Sequence, residues 1–100
     1  MAVVLYVRIT STLDPEELER RLEERRPLFL EVPGLLQKVY GRDEATGEVC
    51  GIYFFDTRES LAAFRDTELA QTTAPAYEAS DVRREIYDVM FPLRDDAGPL

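Results

Sequence analysis

Residues 31 to 55, EVPGLLQKVYGRDEATGEVCGIYFF, contain two strand-like runs joined by a tight turn, and both runs are apolar on both sides. Successive side chains of a strand point to opposite faces, so such a hairpin needs cover twice. The first strand is read as Leu35 to Arg42 and the second as Val49 to Phe55, with Gly47 supplying a positive φ in the turn. A four-residue loop, Glu44 to Gly47, pairs Asp43 with Glu48 and sets Lys38 directly across from Tyr53. A three-residue loop would turn Tyr53 to the opposite face.

The β-branched and aromatic run from Val3 to Ile9 reads as a first strand. In LDPEELERRLEERR, Asp14 is an N-cap, Pro15 takes the first helical position and Glu17 closes a capping box. Leu18 and Leu22 share one helix face, and Pro27 is expected to end or kink the helix near Arg26. Leu28, Phe29 and Leu30 then lie in an irregular connection and still call for burial. Asp56 and Glu59 suggest a second capping box, opening a helix through Leu61 and Phe64. Residues 66–80 are less regular: Pro75 divides them into two short helical turns, and their small residues suggest a mobile cover. A fourth strand is read as Arg84 to Phe91. Residues 1–94 form one domain on this reading, and 95–100 a solvated tail.

The order β-α-β-β-α-β is the ferredoxin-like α+β arrangement. Its two helices cover one face of a four-stranded sheet. Strand 1 places Val3, Leu5, Val7 and Ile9 opposite Val4, Tyr6 and Arg8. Strand 2 places Leu35, Gln37 and Val39 opposite Leu36, Lys38 and Tyr40. Neither side is a clean polar face. The expected second cover is another copy of the chain, making a homodimer through the sheets.

Composition narrows the chemistry. The chain has 100 residues, a net charge of −8, one cysteine (Cys50) and no histidine. The charge disfavours nucleic acid and anionic membrane as partners. No run approaches the length of a membrane span and no signal-peptide pattern opens the chain, so a cytoplasmic location is expected. Without histidine there is no Ser-His or Cys-His nucleophile, no usual metal site and no usual haem ligand. No Gly-rich loop suits a flavin or dinucleotide, so no cofactor is expected.

Two families share features of these residues. LYVRI and CGIYFF resemble the aromatic signatures of RNA-recognition motifs, but the basic surface is missing and Cys50 stands where that motif has a basic residue. The second resemblance runs through residues 32–64: Pro33-Gly34-Leu35-Leu36, Lys38, Tyr40, Gly51-Ile52-Tyr53 and the helix that follows. This segment is similar to the small YdhR-type mono-oxygenases, relatives of the antibiotic-biosynthesis mono-oxygenases. The resemblance implies a ferredoxin-like protomer in a dimeric α+β barrel. It also implies a cofactor-independent mono-oxygenase acting on a small aromatic or quinol-type molecule, whose electrons the substrate itself supplies to O₂. A non-catalytic dimeric binding protein for a small apolar or aromatic ligand is the other reading.

Lys38, the only lysine, is the foremost candidate: a lysine among apolar neighbours holds a phenolate or moves a proton. The plain alternative is a carboxylate partner at the dimer seam, or a side chain that snorkels to water. Tyr53 across from it suggests a phenol–ammonium pair, against a core tyrosine with a satisfied hydroxyl. Tyr6, Arg8 and Tyr40 are expected on the same face as Lys38, lining a substrate site or the seam. Tyr77 and Tyr87 are read as packing residues, and Cys50 as a small buried hydrophobe.

Overall fold

The computed structural model describes residues 2–96, so residues 97–100 of the expected tail lie outside the described residues. Four strands, β1 (Val3–Ser11), β2 (Leu35–Arg42), β3 (Val49–Phe55) and β4 (Ala79–Asp88), form one antiparallel sheet ordered β2-β3-β1-β4. Helices α1 (Pro15–Phe29) and α2 (Arg58–Arg65) and the single turns α3 (Glu68–Gln71) and α4 (Thr73–Ala76) lie on one side. This is the α+β ferredoxin-like fold. The core forms where Val3, Leu5, Val7 and Ile9 of β1 and Val49, Tyr53 and Phe55 of β3 meet Leu18, Phe29, Leu61, Phe64 and Tyr77.

Both hairpin strands have the expected bounds. Asp43 N–H donates to Glu48 O at 2.7 Å, Gly47 has φ +77°, and Lys38 is paired with Tyr53. At Asp14 the side chain accepts from Glu17 N–H at 3.0 Å, as a cap should. The capping box does not close, because the Glu17 carboxylate is taken by Arg20 and Arg21 at 2.8 Å each. Gly34, at φ +78°, accepts the Asp56 N–H at 2.9 Å. A Cβ there would lie 2.2 Å from Ser60 Oγ, so only glycine lets β2 start against the entry to α2.

Several expectations are corrected. Pro27 does not end α1; it sits in the last turn, where its missing N–H costs one bond, and its carbonyl accepts from Leu30 N–H at 3.2 Å. Extending the helix buries Phe29 and leaves Leu28 and Leu30 exposed. Helix α2 is capped by Thr57, whose hydroxyl accepts from Ser60 N–H at 3.1 Å, and not by Asp56. Strand β4 starts five residues earlier than expected, because pairing with β1 holds Val82, Arg84 and Ile86 against Ile9, Val7 and Leu5. Residues 66–80 contain two turns, but the break falls at Thr72 and Pro75 lies inside the second. This segment packs against α1: Arg25 donates to Leu69 O at 2.9 Å and to Tyr77 Oη at 3.1 Å, and Tyr77 is buried.

The parity of β2 also differs. The register slips between Leu35 and Gln37, so Leu36 is an extra residue and Leu35 joins Lys38 and Tyr40 on the helix-covered face. Gln37 and Val39 fall on the open face instead, beside Ile52, Phe54, Val4 and Tyr6.

Candidate active site

Strand β2 is an edge strand, and Lys38 points from it beneath α1. Its Nζ lies 3.5 Å from the ring centre of Phe29, 4.4 Å from that of Tyr40 and 4.5 Å from that of Tyr53. Three elements build this cage: the last turn of α1, β2 itself and the neighbouring β3. Gly51 makes room for it, since a Cβ there would sit 3.0 Å from the Tyr53 ring and 3.1 Å from Lys38 Cε. Among the described residues, Nζ has neither a carboxylate partner nor a hydrogen bond.

Burial pushes the Lys38 amine down to about 7, and the Arg25 guanidinium on α1 adds to the shift. The three ring faces work against it, since each attracts the ammonium by about 0.5–2 kcal/mol. Both protonation states are therefore within reach near neutral pH. Burial and the neighbouring Tyr77 and Tyr40 push the Tyr53 phenol well above its usual value, so it stays protonated. Burial pushes Tyr40 up to about 12. Tyr53 does not form the expected phenol–ammonium pair: the ammonium lies over its ring face, and the ring packs edge-on to Phe29 and flat against Phe55.

Lys38 and Tyr40 line a cleft of about 540 Å³ between α1 and β2, with Phe29 and Leu35 deep in it and Leu30 and Leu36 at its mouth. A separate void of about 20 Å³, the size of one water, is lined by Lys38, Tyr40, Tyr53 and Thr73. Another cavity, of about 260 Å³, lies between α2, α3 and β4. Its rim carries Arg65 and Arg84, both without a carboxylate partner among the described residues. Sequence reasoning missed these two arginines and Phe29; the only available signal was Phe29 as the last apolar residue before the Val-Pro-Gly connection.

Tyr6 and Arg8 do not share this site. In β1 they alternate with the buried Leu5 and Val7, which puts them on the open face. Arg8 is bound there by Glu48 (Nε–Oε1 2.9 Å) and Asp43 (3.0 Å), while Thr10 also donates to Glu48. This cluster fastens the β2–β3 loop to β1. The backbone N–H groups of Thr46 and Ala45 hold the Asp43 carboxyl below its usual value, and the Thr10 hydroxyl does the same for Glu48, with the Arg8 guanidinium adding to both. Tyr87, also on the open face, is half exposed and bonds Glu85 at 2.6 Å, so it is not a packing residue within the protomer.

The profile of the family described as "Putative mono-oxygenase ydhR" matches residues 4–95. The chain belongs to that family. Solved structures agree with this family's architecture. The cofactor-independent oxygenase SnoaB from Streptomyces nogalater superposes with a TM-score of 0.76 at 16% identity, covering 92% of this chain and 96% of its own. A putative antibiotic biosynthesis monooxygenase from Deinococcus radiodurans gives 0.74 at 11% identity, covering 94% and 97%. One from Nitrosomonas europaea gives 0.74 at 16% identity, covering 91% and 92%. At these identities the likeness shows the fold. No curated protein matches the chain by sequence. Among the described residues, no helix of this family member is long and apolar enough to cross a membrane.

Proposed function

We propose that the chain is a cofactor-independent mono-oxygenase of phenols or hydroquinones, with Lys38 managing the substrate proton. The observation that carries this reading is the unpaired Lys38 amine, caged by three aromatic rings at the wall of the α1–β2 cleft. A phenol in the cleft meets Lys38 either as a cation that stabilises the phenolate or as a neutral amine that takes its proton. The phenolate then donates electrons to O₂. One oxygen atom bonds to a ring carbon, the O–O bond breaks, and the other leaves as water with the two hydrogens the substrate loses. The product is a quinone, so the substrate supplies every electron. On this proposal Tyr40 and Phe29, which line the cleft, stack on the substrate's aromatic ring, and the buried Tyr53 stays behind Lys38 as part of its cage.

The oxygenase works as a homodimer on this proposal. Val4, Tyr6, Val39, Ile52 and Phe54 give the open face a part-exposed apolar surface with Tyr87 beside it. A partner's sheet covering it would bury roughly 1,000 Å² or more. Sedimentation equilibrium at micromolar concentration tests this, and a single 11.5 kDa species would overturn it.

The function is tested with an oxygen electrode and a panel of hydroquinones and polycyclic phenols. Uptake is expected without flavin and in the presence of chelators, and Lys38→Met should lower it about 100-fold. Equal rates remove Lys38 from the mechanism. Stoichiometric spectral change without uptake supports the ligand-binding reading instead.

A further inference from the structure

A lysine attacks a carbonyl only through a free lone pair, and an ordinary lysine near neutral pH is almost wholly ammonium. Two features lift that restriction at Lys38. The first is that nothing in the cleft holds its nitrogen as a cation. Both carboxylates of the cleft wall are engaged, Glu19 with Arg42 at 3.5 Å and Glu23 with Arg26 at 3.4 Å. The second is its surroundings: burial brings the amine down to about 7, and Arg25 of α1 adds a like charge. The phenols beside it, Tyr40 and Tyr53, are pushed up by burial and stay neutral. A neutral amine at the wall of an apolar cleft is the arrangement that carbonyl-attacking lysines need.

We infer that Lys38 is a carbonyl nucleophile that condenses with an aromatic aldehyde in the α1–β2 cleft to form a Schiff base. The nitrogen lone pair bonds to the carbonyl carbon, and the displaced electron pair moves to oxygen. That oxygen then leaves as water, carrying the two hydrogens of the amine, and nothing is oxidised or reduced. The void of about 20 Å³ beside Lys38, lined also by Tyr40, Tyr53 and Thr73, has room for one such water. The ring faces of Phe29, Tyr40 and Tyr53, with centres 3.5, 4.4 and 4.5 Å from Nζ, attract an iminium as they attract an ammonium. The cage therefore holds the charged adduct, the form that draws electrons from the neighbouring carbon. The aromatic class follows from the wall: Phe29 and Tyr40 line a cleft of about 540 Å³, with apolar Leu30 and Leu36 exposed at its mouth.

This step goes beyond the oxygenase reading and shares only its cleft, so its test excludes oxygen. The full chain is incubated without air near neutral pH with benzaldehyde and sodium cyanoborohydride, which reduces an imine to a stable benzylamine. Nα-acetyl-lysine in the same tube serves as an ordinary amine, and peptide mass reads benzylation at the chain's only lysine. Lys38 should be benzylated about tenfold faster than the free amino acid, or more, because far more of it is neutral. An equal or slower rate overturns the inference. Tyr40→Leu, a change at a part-exposed position of the edge strand β2, tests the aromatic class. It should lower the ratio of benzaldehyde to acetaldehyde trapping about fivefold, and an unchanged ratio overturns the preference for a ring. Trapping without oxygen uptake on any phenol keeps the Schiff base and removes only the oxygenase reading. Oxygen uptake without trapping does the reverse.

Discussion

The two faces of the sheet treat a positive charge in opposite ways. On the open face Arg8 is surrounded by Glu48 and Asp43, at 2.9 and 3.0 Å, so its charge is spent locally on holding a turn. On the helix-covered face Lys38 has only ring faces around its nitrogen, and a second cation, Arg25, acts on it from α1. In a chain with 20 acidic residues, withholding a carboxylate from the one lysine is informative. Arg8 is structural, whereas Lys38 is left without a carboxylate, as the proposed proton-handling role requires.

The comparison breaks most visibly at its two adjacent phenylalanines. Phe55 faces the helices with 0% exposure, while Phe54 is part-exposed on the open face. Phe55→Ala should cost about 3–5 kcal/mol in urea unfolding, and Phe54→Ala distinctly less at concentrations where the protomers are separate. Equal costs would mean that the open face is as closely packed as the core.

The next effect concerns the pH dependence of stability. The folded Lys38 pKa, about 7, lies below the ordinary value of 10.5, so between these the unfolded chain binds more protons than the native one. Stability must therefore rise with pH across that window, and the full cost of burying the ammonium is present below about pH 7. At about 1.4 kcal/mol per pKa unit, less the share returned by the ring faces, the change is on the order of 2–3 kcal/mol. Lys38→Met should remove this slope and be the more stable protein at pH 6. A difference that stays constant from pH 6 to 10 would show a solvated amine.

Gly51→Ala sharpens the argument that the cage is built for this side chain. Its methyl group would press on the Tyr53 ring and on Lys38 Cε, with a cost of about 1–3 kcal/mol by thermal unfolding. The reactivity of Lys38 should rise as its amine is displaced toward water; unchanged reactivity would mean that the cage tolerates the methyl. The smallest effect is expected from Arg8→Met. Glu48 and Asp43 have lowered pKa values in the folded chain, so their contribution is present above their unfolded pKa values and lost as pH falls through the folded ones. The variant should flatten the acid limb of the stability curve and change oxygen uptake less than twofold. A large loss of uptake would bring the open face into the chemistry.

Much of this was legible in the order of residues, because it depends on near neighbours. Asp14 before Pro15 starts α1, Gly47 closes the turn, and the four-residue loop sets Lys38 across from Tyr53. Alternation along β1 separates the buried Val3, Leu5, Val7 and Ile9 from the rest. The two-sided apolar strands and the lone lysine were visible without coordinates. The grouping of site residues depends on distant partners, and only the tertiary structure decided it. The extra residue at Leu36 brings Leu35 onto the face of Lys38 and Tyr40, and pairing of β1 between β3 and β4 turns Tyr6 and Arg8 to the other side. Phe29 reaches Lys38 only because α1 continues through Pro27, where packing on the sheet outweighs one lost hydrogen bond. Local rules govern where elements begin, whereas strand register and helix docking, summed over contacts far apart in sequence, determine which side chains meet.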